Sequence, residues 1–458
     1  MKTILIKNAL LLATMDAENR EIKNGDVYIE GNVIKKVGAG INLKADETIN
    51  AEGCVVIPGM INTHHHFYQT LTRNLPKVQD AKLFDWLTYL YDIWKFIDVE
   101  AVYASTQTAM GELLLTGCTT TSDHLYLFPH SGSEKFIDTQ IEAAKEMGMR
   151  FTAVRGSMSL GRSHGGLPPD SCVQDEDTIM ADCERLVKKY HDASRYSMTQ
   201  VAMAPCSPFS VTTKLLKITA EAAKKWGVRI HTHLAETKDE DDFCKKLFGQ
   251  RPLSYMESCG WLENKNAWFA HCVYINEEEA KKMAATKTGV AHCPCSNLRL
   301  GSGIAPVPMF RRLGVPVSLA VDGSASNDAS DMLGEARQCL LVHRVGTGVQ
   351  SMPAREVFDI ATRGGAEVLG RNDIGSIEEG KAADIAVFDV SGLEYSGGMS
   401  DPLAALLFAG ASHRAKYTLV NGETVVKEWK LAKISERTLA ERQNKTAERL
   451  YGLAGVIR

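Results

Sequence analysis

Short apolar and β-branched runs recur along the chain, separated by longer stretches whose apolar residues repeat at helical spacing. Eight such runs end in polar residues: VVIPGMINTH (55–64), CTTTSDH (118–124), MRFTAVRG (149–156), TQVAMAPCSP (199–208), GVRIHTHLAE (227–236), NAWFAHC (266–272), TGVAHCPCSN (288–297) and VPVSLAVDGS (315–324). Near-continuous apolar character over so few residues marks a strand buried on both faces. Between them DTQIEAAKEMGM, DTIMADCERLVKKYH, TTKLLKITAEAAKKWG and NEEEAKKMAATKTG read as helices, several stopped by a glycine suited to a C-cap. Strand and helix alternating eight times predict an α/β fold, a (β/α)8 TIM barrel. A doubly wound open sheet is the alternative, but no glycine-rich nucleotide loop follows the first strand.

The two ends follow another rule. ILIKNALLLAT leads to GDVYIEGNVIKKVG, where Glu30-Gly31-Asn32 turns one strand into the next. The last eighty residues repeat this grammar in IGSIEEGKAADIAVFDV and in KYTLVNGETVVKEW around Asn421-Gly422. Neither end alone has the apolar surface for a robust core, so the two are expected to join in a small β-sandwich domain. The expected organisation is therefore 1–57 and 371–458 for the two parts of the β domain and 58–370 for the barrel. The segment ISERTLAERQNKTAERLYGLAG predicts a surface-facing terminal helix, packed on the sheet domain or on a partner subunit.

Composition narrows the function classes. Hydrophobic residues make up 44% and charged residues 24%, enough to build a large core and too apolar for a disordered chain. The net charge of −4 and the absence of a Lys/Arg cluster speak against a nucleic-acid partner. No run of 18 apolar residues is present, so no membrane partner is expected, and the first residues read as a strand, not a signal peptide. Eleven cysteines form no disulfide framework and fit reduced thiols in a cytoplasmic protein. Cys293 and Cys295 make a C-x-C beside His292, but no second pair completes a closed zinc site.

The strand ends carry the chemistry. On the first strand His64 and His66 share a face while His65 points away. Strand five ends with His231, His233 and Glu236, strand six with His271 and strand eight with Asp322. Imidazoles and a carboxylate thus converge on the rim where a barrel places its active site, enough for one divalent metal with an open water position. His64, His66, His233 and Asp322 are the expected ligands, with His271 alongside as a base or hydrogen-bond donor. Parity does not separate His231 from His233.

Taken in order, PGMINTHHH, HTHLAE, WFAHC, HCPCSN and VDGSASND resemble the amidohydrolase superfamily, in its branch of cytosine, guanine and related heterocycle deaminases and triazine hydrolases. GxIxxGKxADIxxFD and VNGxxV are similar to that branch's small β domain, so the resemblance covers nearly the whole chain. It implies one zinc, with iron as the alternative, on His64, His66, His233 and Asp322, and it is what selects His233. It further implies Glu236 as acid/base, His271 over the bound water and substrate, and Asp322 as the acceptor of the water's proton. The run from Ser159-Leu160-Gly161 to Gly166-Leu167-Pro168-Pro169-Asp170 resembles the 8-oxoguanine deaminases and hydroxyatrazine ethylaminohydrolases. The implied reaction is hydrolytic deamination of an oxopurine, with guanine, isoxanthopterin, cytosine or hydroxyatrazine as alternatives. Gln69 and Arg155 are the expected substrate contacts, and Trp86 a wall for a flat ring. The implied partner is a free heterocyclic base, and a homo-oligomer is expected from the lookalikes.

Overall fold

The computed structural model describes residues 1–129, 132–409 and 412–456. Its larger unit is an eight-stranded sheet of parallel strands in chain order: Met60–Asn62, Cys118–Leu125, Arg150–Ser157, Thr199–Pro205, Arg229–Leu234, Ala267–His271, Gly289–His292 and Val317–Leu319. The edges meet at a seam: the Asp322 amide donates to the His64 carbonyl at 3.1 Å, and the Val321 amide to Asn62 Oδ1 at 3.0 Å. With helices between the strands, this is the predicted barrel.

Alternation along each strand divides the core in two. Ala202 and Ala204 face the interior with Val154, Ala291 and Trp268, while Val201 and Met203 pack outward against the helices. Small residues around Trp268 leave room for its ring at the barrel centre, and its indole N–H donates to the Thr63 carbonyl at 3.0 Å. The helices begin on side-chain caps, Asp175, Thr212 and Asn276 among them, and several end on left-handed glycines.

Both termini build one nine-stranded mixed sheet. The run 55–64 is two strands rather than one: Cys54–Pro58 pairs with Thr3–Ala13 and Ile385–Asp389 in the terminal sheet, whereas Met60–Asn62 opens the barrel. Gly59 sits at the switch, where an added Cβ would lie 2.1 Å from Thr119 Cγ2. The two predicted turns meet: a Cβ on Gly422 would fall 2.1 Å from the Gly31 carbonyl oxygen. The terminal helix Glu436–Ala454 lies on the barrel's helix Val99–Leu115 and on the segment after His66. There Gln443 Nε2 donates to Thr70 Oγ1 at 2.8 Å and the Tyr451 hydroxyl to the Leu71 carbonyl at 2.7 Å. Among the described residues no helix is long and apolar enough to cross a membrane.

Candidate metal centre and active-site pocket

His64, His66, His233 and Asp322 converge at the C-terminal rim of the barrel, as the sequence predicts. His66 Nε2 and His233 Nε2 are 3.0 Å apart, and Asp322 Oδ1 is 3.3 Å from His64 Nε2 and 3.4 Å from His66 Nε2. The other ring nitrogens fix the tautomers. His66 Nδ1 donates to the His124 carbonyl at 2.8 Å and His233 Nδ1 to the Cys206 carbonyl at 2.7 Å. His231 Nδ1 faces the Trp268 carbonyl at 2.9 Å and must carry the proton, so its Nε2 accepts from His64 Nδ1 at 2.7 Å. Three Nε2 lone pairs are left pointing at one another and at a carboxylate oxygen.

That arrangement tests the fit of a metal. His64 Nε2 is buried without a hydrogen-bond partner, and two bare nitrogens 3.0 Å apart repel unless a cation lies between them. Ligands on a tetrahedral ion with bonds of roughly 2.0–2.1 Å stand about 3.3 Å apart, which the observed separations approach. Burial lowers the pKa of each of these histidines, and of His231, which favours the neutral form that coordinates a metal. Burial pushes Asp322 upward, but hydrogen bonding at its carboxylate and the charge that His64, His271 or His66 carries when protonated outweigh it and hold the carboxyl well below the usual range. The donor set fits a divalent metal, with hydrogen bonds orienting each ring.

Asp322 Oδ1 accepts from the Gly323 amide at 2.7 Å and Oδ2 from the Ser296 hydroxyl at 2.6 Å. His271 Nε2 stands 3.9 Å from Asp322 Oδ2 and 3.7 Å from Glu236 Oε2. Asn297 Nδ2 donates to His271 Nδ1 at 3.1 Å, which places that ring's proton on Nε2, facing both carboxylates. Glu236 is buried, and desolvation raises its pKa even with the Ser302 hydroxyl 3.2 Å from Oε1. Its backbone is held from behind: Glu240 accepts the amides of Ala235 and Glu236 at 2.9 and 3.0 Å. Ala235, His271 and Asp322 all have positive φ, at 52°, 72° and 63°, where each strand end leaves extended geometry to aim a side chain at the rim.

The pocket above these groups is walled by Trp86, Tyr91, Tyr126, Phe209 and Leu300, a setting for a flat ring. Gln69 lines it with Oε1 buried and unpartnered, and Trp86 Nε1 is likewise without an acceptor. Gly323 makes room for Gln69, since an added Cβ would stand 2.0 Å from Oε1.

Arg155 is a correction. It is absent from the pocket lining and lies on the outward parity of its strand, opposite to Val154. Its guanidinium reaches Asp182 at 2.9 Å and Gln174 Oε1 at 2.7 Å, and lies over the Phe128 ring at 3.8 Å. Pro168 and Pro169 also lie off the lining. Sequence reasoning missed His124, whose Nδ1 is buried and unpartnered and whose ring stacks on His233 at 5.0 Å. Its signal was available, because it ends the second barrel strand. All eleven cysteines are free. His292, Cys339 and His343 gather behind strand seven with Nε2 atoms of the two rings 3.1 Å apart. Both Nδ1 atoms there lack partners, so ligation through Nε2 would strand two buried N–H groups, whereas a shared proton strands one.

The comparisons agree with this geometry. The amidohydrolase family model matches residues 55–425. The chain is 46% identical to an 8-oxoguanine deaminase of Pseudomonas aeruginosa, over 92% of this chain and 93% of that protein. It is 33% identical to a hydroxydechloroatrazine ethylaminohydrolase of Pseudomonas sp. strain ADP, over 94% and 91%. An atrazine chlorohydrolase from Arthrobacter aurescens TC1, solved in complex with zinc, superposes with a TM-score of 0.93 at 32% identity, covering 97% of this chain and 100% of that one. With its barrel, its rim of histidines and aspartate and these relatives, the chain belongs to the amidohydrolase family, as a hydrolase acting on carbon–nitrogen bonds.

Proposed function

We propose that this protein deaminates an oxopurine, converting 8-oxoguanine and water to urate and ammonia, with one zinc held by His64, His66, His233 and Asp322. The observation that carries the reading is the placement of Glu236 and His271 beside Asp322, 3.7 and 3.9 Å apart across the His271 Nε2 atom. An amide hydrolase manages with metal, water and aspartate. An aromatic ring must also be protonated on nitrogen before its carbon accepts an attacking pair, and this needs a further acid beside the metal.

A zinc ion bound by these ligands supplies Lewis acidity, bringing the pKa of water from about 15.7 toward roughly 7 in the most activated sites. Asp322 Oδ2 accepts the proton of the attacking water as the carbon–oxygen bond forms. Glu236, kept protonated more readily by its burial, donates to the ring nitrogen next to the carbon bearing the amine. His271 Nε2–H donates to the oxygen as charge develops on it. The carbon–nitrogen bond then breaks as the amine takes the water-derived proton from Asp322 and leaves as ammonia, and the new hydroxyl returns its remaining proton to Glu236 as it becomes the carbonyl. Trp86 and Phe209 flank the ring, and the unpartnered Gln69 Oε1 reads its polar edge.

The 46% relative supports an oxopurine over other rings. The second reading is removal of an amine from another heterocycle, which the 33% ethylaminohydrolase relative favours and which uses the same residues. Glu236→Gln tests the mechanism: metal content should stay normal while kcat falls at least about 100-fold. Near-normal turnover in that variant, with metal verified, would remove Glu236 as the ring acid.

A further inference from the structure

The foot of the barrel carries a cation without a counter-ion. Arg229 begins strand five, at the end remote from His233 and Glu236. Other arginines packed against this barrel reach carboxylates: Arg150 meets Asp384 at 3.0 Å, Arg155 meets Asp182 at 2.9 Å and Arg371 meets Asp373 at 2.8 Å. Arg229 forms no ion pair among the described residues, and its Nε is closed off from solvent without an acceptor. Desolvation is the sole influence on its pKa, which drops to about 10. The Trp268 ring lies 5.7 Å from its Cζ, and Gly370 makes room beside it, where an added Cβ would stand 3.0 Å from Nη1.

Arg229 opens into a cleft of ≈ 430 Å³ shared with Gln200, Lys224, Asn264 and Asn266, and no aspartate or glutamate lines it. We infer that this cleft is an oxyanion-binding site, with Arg229 as its fork and Lys224 as a second positive charge. Guanidinium geometry suits two oxygens of one tetrahedral or planar anion. Asn266 lines the same cleft, its Nδ2 donating to the Val228 carbonyl at 2.9 Å. The Arg229 guanidinium and the Lys224 ammonium meet the acceptor oxygens of phosphate and of sulfate alike. The site lies at the opposite end of the barrel from the metal centre and does not depend on the substrate assigned above.

The test is calorimetric titration of inorganic phosphate, and separately sulfate, into the metal-loaded wild type, Arg229→Gln and Lys224→Ala. The expected result is one phosphate per chain, with sulfate competing for the same site. Arg229→Gln should weaken it at least tenfold and Lys224→Ala, at an exposed position, severalfold, with kcat/KM unchanged in both. Equal phosphate binding in wild type and Arg229→Gln would place the anion outside this cleft and overturn the inference. No binding to the wild type at millimolar phosphate would overturn it too, leaving Arg229 a hydrated side chain. If Arg229→Gln does not fold, an unchanged affinity in Lys224→Ala counts against the site.

Discussion

His231 holds no position in the set of expected ligands, yet the geometry makes metal affinity depend on it. Replacing it with phenylalanine preserves the stack on Trp268, whose centroid lies 4.4 Å away at 21°, and changes volume little. What is lost is the acceptor for His64 Nδ1–H at 2.7 Å and the donor to the Trp268 carbonyl. A buried donor without a partner costs about 1–3 kcal/mol, and His64 escapes that cost by flipping its ring or tautomer, either of which withdraws Nε2 from the other donors. Loss of an outer hydrogen-bond partner of a metal ligand typically costs 10–100-fold in affinity, or about 1.4–2.8 kcal/mol. The two estimates agree. His231→Phe should therefore bind zinc about 10–100-fold more weakly in competition with a chromogenic chelator, at unchanged far-ultraviolet circular dichroism. His231→Gln, whose amide oxygen can stand where Nε2 stood, should recover part of the loss. Affinity within twofold of wild type in folded His231→Phe would refute the relay from Trp268 through His231 to His64.

Other consequences follow from the same geometry. Asn297→Leu removes the donor that keeps the His271 proton on Nε2; kcat should fall about tenfold or more with KM little changed, read from steady-state kinetics. His413 is hydrogen-bonded to Asp331, the N-cap of helix Met332–Thr347, and this contact raises its pKa above the ordinary value. A raised histidine pKa stabilises the fold fully below the unfolded value near 6.5 and loses the contribution as pH climbs through the folded value. His413→Gln should thus cost about 0.5–1 kcal/mol in urea unfolding at pH 5.5 and markedly less at pH 9. Equal costs at both pH values would show that the pair carries no charge-dependent stability.

Much of the architecture is legible in the sequence because every barrel strand is a short apolar run ending on a polar residue at the rim. The exception is instructive. Cys54–Pro58 and Met60–Asn62 are buried throughout, so periodicity sees one strand where two sheets divide it, and only the tight contact at Gly59 marks the change. The convergence of the candidate ligands is legible from strand ends, but the roles of His231 and His233 are not, since both share one parity. Two strand positions separate them by roughly 6.6 Å of depth, which puts His233 at the rim and His231 beneath it. Arg155 misleads for a related reason: in a strand buried on both sides, a polar residue near the end does not announce which layer it faces. Its partners, Asp182 and Gln174, lie 27 and 19 residues further on and become neighbours only in the fold.

The reaction itself is open to direct assay. Protein with one zinc per chain verified should be given 8-oxoguanine, guanine, isoxanthopterin, cytosine and hydroxyatrazine, with ammonia or amine release and ring absorbance followed together. The highest kcat/KM is expected for 8-oxoguanine, with one ammonia and one urate formed per substrate consumed. Faster turnover of another of these rings would contradict the oxopurine assignment, and silence across all five with metal in place would contradict deamination.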